Sequence, residues 1–329
     1  MTTRRIGALF VSPIGYGCMS LSHAYGTPPS REYAEQMLNR ALDVGYTFLD
    51  TAALYGFGAN ETLIGEVLKG RRQEFVLASK CGMFRNDDGV REINGRPEAI
   101  RKVCEASLKR LQTDVIDLYY LHRRDRNVPI EESVGALGEL VREGKIREVG
   151  LSEVSAETLR KAHKEYPIAA VQSEYSLWSR NVEIAVLDAC KELGTTLVAF
   201  SPLARKFLTN TLRDLNQLSE NDFRSNMPRF SPDNYARNLQ LLDKYLPLAE
   251  EAGCTPGQLA LAWLLKKADH IVPIPGTAVL EHLEENRAAT EVILSDDLFN
   301  RVDAVINQQT VVGERYPAQA QSEVDTERF

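Results

Sequence analysis

Eight short apolar runs, alternating with segments of helical period, constrain this 329-residue chain more than any other feature. The runs are Ile14 to Gly17, Thr47 to Asp50, Phe75 to Lys80, Val115 to His122, Ile146 to Ser152, Ala169 to Tyr175, Thr196 to Ser201 and Ile271 to Ile274. Apolar strands that alternate with helices are parallel and covered on the outside, and eight of them in this length favour a closed (β/α)8 barrel over an open doubly wound sheet. Residues 1–329 then form a single domain around one large core. Ahead of the barrel, Arg4 to Val11 and Ile14 to Met19 read as a short N-terminal hairpin turning at Ser12-Pro13.

The intervening segments carry helical signals. From Pro97 to Leu111 the apolar residues Ile100, Val103, Cys104, Leu108 and Leu111 fall three or four apart, which gives one buried stripe behind a proline at the first helical position. Val134, Leu137, Leu140 and Val141 repeat the pattern before Gly144, a residue suited to a helix terminus. Thr255-Pro256-Gly257-Gln258 combines a capping threonine, a proline and a glutamine that reaches back. One connection breaks the rhythm: Arg205 to about Asn234 is a polar stretch far longer than the usual strand-to-helix loop, and reads as a loop covering a substrate. The residues from about Thr310 read as an exposed tail or as a segment folding back over the barrel mouth.

Composition narrows the classes of function. A formal net charge of −7, with Lys and Arg dispersed among Asp and Glu, opposes nucleic-acid binding. No window approaches the length of a membrane span, and Met1-Thr2-Thr3-Arg4-Arg5 lacks a secretory core, so the expected compartment is the cytoplasm. Cys18, Cys81, Cys104, Cys190 and Cys254 are scattered and never in a C-x-x-C pair, which points to buried free thiols. His23, His122, His163, His270 and His282 have no spacing that suggests paired metal ligands, so no metal is expected. Phosphate-loop, zinc-protease and nucleophile-elbow motifs are missing, and Gly15-Tyr16-Gly17 begins a dinucleotide fingerprint that Ser20 does not complete.

Four residues give the pattern a chemistry. Asp50, Lys80 and His122 each stand where the chain leaves a strand, and strand ends of one polarity meet at one face of a barrel. Tyr55 lies in the loop after Asp50. Singly, Asp50 could cap its loop, Lys80 could be a solvated strand end, His122 a satisfied core histidine and Tyr55 a packing residue. Together they suit carbonyl reduction. A phenol with a reference pKa near 10 is a poor acid at neutral pH unless a cation stabilises the phenolate. Lys80 can supply that charge, Asp50 can hold the ammonium, and His122 can donate to the substrate carbonyl oxygen.

At these residues the chain resembles the aldo-keto reductase family, in its bacterial and plant-type branch of short-looped members. The resemblance rests on Phe48-Leu49-Asp50-Thr51-Ala52-Ala53-Leu54-Tyr55-Gly56, Lys80 and Asp117-Leu118-Tyr119-Tyr120-Leu121-His122. It continues through Arg142 to Arg147, Gly150 to Glu153, Gln172 to Trp178, Phe200 to Leu203, and Ile274 through Asn286. It implies a catalytic tetrad of Asp50, Tyr55, Lys80 and His122, with Tyr55 as proton donor. It also implies that Ser152 and Gln172 hold a nicotinamide carboxamide and that Phe200 stacks on the ring. Ser201, Pro202, Leu203 and Arg205 would clasp the pyrophosphate, and Met19 would line a ribose. Gly276, Thr277, His282, Glu285 and Asn286 would bind the adenosine end.

Two departures stand out. Relatives often read S-P-L-G-R-G-F-L-T-G where this chain has Ser201-Pro202-Leu203-Ala204-Arg205-Lys206-Phe207-Leu208-Thr209-Asn210, and lost glycines restrict a backbone. Relatives also carry Arg or Lys after Pro-Gly-Thr, where this chain has Ala278 and Val279, with His282 in place of a frequent arginine. The expected cofactor is NADPH, with NADH as the alternative. The expected partner is a small carbonyl substrate in a pocket edged by Tyr25, Tyr55, His122 and Trp178, with Trp178 otherwise a filler between barrel and helix. The rival readings are a redox-sensing accessory subunit that binds nicotinamide with weak turnover and a metal-dependent hydrolase. Substrate identity, and whether the protein is a monomer or a homo-oligomer, stay open at the level of sequence.

Overall fold

The computed structural model describes residues 3–22, 25–85, 91–220 and 222–329. His23, Asn221 and Met1-Thr2 of the segments considered above lie outside them. Twelve strands are present among these residues: β1 (Arg4–Ile6), β2 (Leu9–Val11), β3 (Tyr16–Gly17), β4 (Phe48–Asp50), β5 (Val76–Cys81), β6 (Met83–Arg85), β7 (Arg91–Ile93), β8 (Ile116–Leu121), β9 (Ile146–Ser152), β10 (Ile168–Glu174), β11 (Thr196–Phe200) and β12 (Ile271–Pro273).

Eight of them form one parallel sheet in the order β12-β11-β10-β9-β8-β5-β4-β3. The sheet closes on itself. Gly15 N–H donates to Pro273 O at 2.9 Å, Gly17 N–H donates to Pro275 O at 3.2 Å, and Gly17 bridges Gly276 in parallel. The seam needs glycine, because a Cβ on Gly17 would stand 2.9 Å from Ile274 O. This is the (β/α)8 barrel that the eight runs predict.

Two apolar layers hold it together. Inside the barrel, Phe48, Ala78, Leu118, Tyr120, Ala170, Val198 and Val272 pack with Ile6 and Val11 of the N-terminal hairpin, which plugs the end where the strands begin. Outside, the strands pack against helices that include α1 (Arg31–Asp43), α2 (Ala59–Leu68), α3 (Pro97–Leu111), α4 (Ile130–Arg142) and α5 (Ala156–Glu165). The ring continues with α6 (Val186–Leu193), α7 (Pro232–Glu251), α8 (Pro256–Lys267) and α9 (Leu280–Ala288), followed by α10 (Asp296–Val305) and α11 (Ala318–Ser322). Thr255 and Gln258 form the reciprocal cap ahead of α8, with Pro256 in its first turn.

Two local readings change. The hairpin is β1 against β2, turning at Gly7 with φ of +56°, whereas Ser12-Pro13 only leads into the first barrel strand. Gly7 allows the left-handed turn, whereas the more conspicuous turn pair Ser12-Pro13 lies beyond the second strand. A second hairpin, β6 with β7, follows β5 and was not legible in the apolar periodicity. The described residues between Ala204 and Phe230 form four short 3-10 turns, and the first and third of these, through Arg205, Lys206, Thr209, Phe223, Arg224 and Asn226, put the long connection on the cavity wall.

The end of the chain folds back over the mouth. Tyr316, Pro317, Ala320, Glu323 and Val324 line the cavity there. Asp325 accepts from Ser155 and Thr158 side chains at 3.2 and 2.6 Å and pairs with Arg124 at 3.0 Å, while Glu327 accepts from Ala156 N–H at 2.8 Å. The tail thus sits on the start of α5, where a carboxylate meets the free N–H groups of a helix.

Candidate active site

The strands end at a cavity of about 1100 Å³, lined by apolar and polar side chains from the loops at their carboxyl ends. Strand register brings the four chemistry-bearing residues together there. Asp50 ends β4, Lys80 lies near the end of β5, and His122 follows β8 with its N–H donating to Cys81 O at 2.8 Å. Tyr55 begins a short 3-10 turn five residues after Asp50, and its N–H donates to Ala52 O at 3.0 Å.

Lys80 is the hub. It is fully buried, and its Nζ donates to Asp50 Oδ1, to Thr51 O at 2.8 Å and to Tyr55 Oη at 3.1 Å. These three acceptors use all three ammonium protons. The other Asp50 oxygen accepts from Gln172 Nε2 at 2.8 Å, so both oxygens of this buried carboxylate are satisfied. The His122 ring stands edge-on to Tyr55, with centroids 6.0 Å apart and planes at 84°.

Burial drives the electrostatics. Burial alone would depress Lys80, but Asp50 and then Tyr55 outweigh it, and the amine stays above its ordinary range and charged. Burial raises the Asp50 carboxyl against the opposing pull of Lys80 and Gln172. Burial also raises the Tyr55 phenol, and Lys80 only partly offsets this. Lys80 thus lowers the phenol, as expected, and moderates the effect of burial without overcoming it. His122 is held well below the usual imidazole range by burial and then by Arg123 and Lys80, so it is neutral at physiological pH. A neutral imidazole still donates one N–H.

The other sequence-selected residues divide clearly. Met19, Tyr25, Ser152, Gln172, Phe200, Ser201, Pro202, Leu203, Arg205, Gly276, Thr277, His282, Glu285 and Asn286 all line the same cavity. Tyr25 meets Phe223 edge-on at 4.9 Å under the Arg224 guanidinium. Trp178 is off the wall. Its indole is 1% exposed and stacks on Phe207 at 4.5 Å, with Phe230 edge-on at 5.6 Å, which makes it the filler and corrects its placement in the pocket.

The loop after β11 keeps a glycine-like path without glycine. Ser201, Ala204, Arg205, Lys206 and Asn210 have φ of +49°, +50°, +56°, +79° and +59°. Each such residue costs about 1–2 kcal/mol relative to a relaxed conformation. A buried ion-pair network holds the loop in place. Arg205 pairs with Glu174 at 2.7 Å, Arg315 reaches the same Glu174 oxygen at 3.3 Å and also pairs with Glu153, and Arg224 donates to Arg205 O at 3.2 Å. Burial alone would raise Glu174, but Arg205, Arg315 and Arg229 outweigh it and hold it at about 2. No local pattern signals this network, because its members are far apart in the chain and each reads as an ordinary solvated charge.

The tetrad geometry, at the carboxyl ends of a closed barrel, agrees with the comparison to known proteins. The aldo/keto reductase family model matches residues 13–307. The chain belongs to this family. The fission yeast (Schizosaccharomyces pombe) aldo-keto reductase yakc, whose name carries NADP(+), is 45% identical over 98% of this chain and 96% of its own length. The glycerol dehydrogenase of Gluconobacter oxydans superposes with a TM-score of 0.87 at 27% identity, covering 96% of this chain and 98% of its own. An aldo/keto reductase of Klebsiella pneumoniae solved with NADP and acetate gives 0.73 at 28% identity, over 96% and 98%. As a member of this oxidoreductase family, the chain has no helix among the described residues that is long and apolar enough to cross a membrane.

Proposed function

We propose that this aldo-keto reductase uses NADPH to reduce an aldehyde or ketone to an alcohol, with Tyr55 as the proton donor. The observation that carries the reading is the Lys80 hub, in which one ammonium held by Asp50 and Thr51 O stands 3.1 Å from the Tyr55 hydroxyl. A dinucleotide fits the residues present. The cavity runs from Ser152, Gln172 and Phe200 past the Ser201–Lys206 loop to Thr277, His282 and Asn286, and Leu203 with φ of −96° followed by Ala204 with φ of +50° gives the alternation of hand by which backbone N–H groups form an anion-binding nest. Ser152 and Gln172 would hold the carboxamide, Phe200 would cover the ring, and Glu285 and Asn286 would take the adenine. A reduced nicotinamide supplies hydride to the carbonyl carbon when bound.

The protein does the rest. Tyr55 gives its proton to the developing alkoxide, Lys80 stabilises the phenolate left behind, and neutral His122 donates to the same oxygen. Asp50 keeps Lys80 charged and in place. NADPH is favoured over NADH because the yeast relative is named for NADP(+), although Ala278 and Val279 place no cation beside His282.

Oxidation of NADPH followed with a panel of small aldehydes tests the reading. Steady turnover is expected. Tight NADPH binding without turnover would support a cofactor-sensing accessory subunit instead, and tighter binding of NADH than NADPH would overturn the cofactor assignment.

A further inference from the structure

Among the described residues four arginines line the cavity, and three of them have a carboxylate. Arg91 pairs with Glu323, Arg205 with Glu174 and Arg224 with Asp222. Arg123 has no carboxylate partner among the described residues. Its hydrogen bonds leave from Nη1 alone, to His122 O at 2.7 Å and Ser152 Oγ at 3.2 Å, while its buried Nε has no partner. The carboxylates on the cavity wall are already engaged: Asp50 by Lys80 and Gln172, Glu285 by Thr255, and Glu323 by Arg91.

A half-buried guanidinium without a counter-charge is costly, because desolvation is not offset by an ion pair. Such a group is matched best by a planar carboxylate, which its fork of N–H groups can engage in a charge-assisted contact. Position sets where that anion would lie. Arg123 follows His122 directly at the end of β8, and its charge acts on both Tyr55 and His122. Lys80 offers no competing site, since its three donors are used within the protein.

We propose that Arg123 receives a carboxylate of the substrate, so that the preferred carbonyl compounds are oxo acids whose carboxylate lies a few bonds from the reacting carbon. This assignment rests on the carbonyl reduction proposed above and narrows its substrate class. It also gives Arg123 a different task from Lys80, since one cation grips the substrate and the other serves the phenol.

Succinic semialdehyde and butanal, matched in chain length, test the proposal with NADPH as reductant. The wild-type protein is expected to favour succinic semialdehyde by about 10-fold or more in kcat/KM, mainly through KM, the size of effect that a charge-assisted contact of roughly 1.5–3 kcal/mol gives. Arg123→Met should narrow that preference to about threefold or less, and Arg123→Lys should keep part of it. Succinate should compete with succinic semialdehyde in the unaltered protein, which reads the same contact without a substitution.

Equal kcat/KM for the two aldehydes in wild type, or no competition by succinate, would overturn the assignment. So would an Arg123→Met variant that loses both substrates equally together with NADPH affinity, because Arg123 would then be supporting Ser152. Failure of both aldehydes to oxidise NADPH would remove the reductase reading, and this proposal with it.

Discussion

Gln172, from β10, donates at 2.8 Å to the one oxygen of Asp50 that Lys80 leaves open. Asp50 is therefore held by donors from two other strands, and its direction is set by the barrel rather than by its own loop. Gln172→Leu removes that donor and leaves a buried acceptor unpaired. The expected cost is about 1–3 kcal/mol of stability, measured by urea denaturation. Weaker NADPH binding should accompany it, because the same amide faces the proposed carboxamide site. An unchanged denaturation midpoint would show that the contact contributes nothing.

Tyr55→Phe keeps the ring and removes only the acid. Reduction is expected to fall by roughly 10²–10⁴-fold in kcat, with NADPH affinity little changed. Single-turnover kinetics and fluorescence titration of NADPH separate the two effects. A variant that retains most of its turnover would leave Tyr55 without the assigned role.

The pH dependence has two parts with opposite origins. The Tyr55 phenol, raised by burial, must stay protonated to act, so reduction should show no alkaline decline from this group below the ordinary phenol range. His122 acts on stability. In the unfolded chain its imidazole takes a proton around 6.5, whereas in the folded protein it resists until well below that value. As pH falls past 6.5 the unfolded state binds protons first, so stability is lost at up to about 1.4 kcal/mol per pH unit for this residue. His122→Gln should flatten the fall in unfolding free energy between pH 6.5 and 5, measured by chemical denaturation. An unaltered slope would assign it to other groups.

Lys206 is exposed and carries a φ of +79°, a region that glycine enters without steric cost. Lys206→Gly should stabilise the fold by about 0.5–1 kcal/mol, since relief of left-handed strain exceeds the added chain entropy by roughly that margin. If Lys206 also meets the pyrophosphate, NADPH will bind less tightly in the more stable variant. Urea denaturation and cofactor titration together check this pair of outcomes, and a destabilised Lys206→Gly would mean that the side chain holds the loop.

How much of this could be read from the sequence depends on the range over which each signal acts. Strand positions came from local apolar runs, and they hold to within a residue or two because burial on both faces is a local property of each strand. Asp50, Lys80 and His122 were legible because each sits at a strand end, where barrel topology alone decides which groups meet. Trp178 was ambiguous because stacking on Phe207 and Phe230 depends on a loop whose path no periodicity reveals. The partnerships of Glu153, Glu174, Arg205 and Arg315 were illegible for a stronger reason: pairing between distant charges has no signature in either chain order or composition. Arg123 has no mark in the sequence, because the run Arg123-Arg124-Asp125 looks solvated, and only the fold separates Arg124, which meets Asp325, from Arg123, which meets no carboxylate among the described residues.

The left-handed turn at Ala204-Arg205-Lys206 shows that a buried ion pair can hold a backbone path that glycine would enter without strain. With Arg205 anchored on Glu174, the strain of its non-glycine neighbours is borne by the network, and the wall of the cavity keeps its shape. The anchor itself then becomes the position least free to change, although nothing in its own immediate sequence marks it as such.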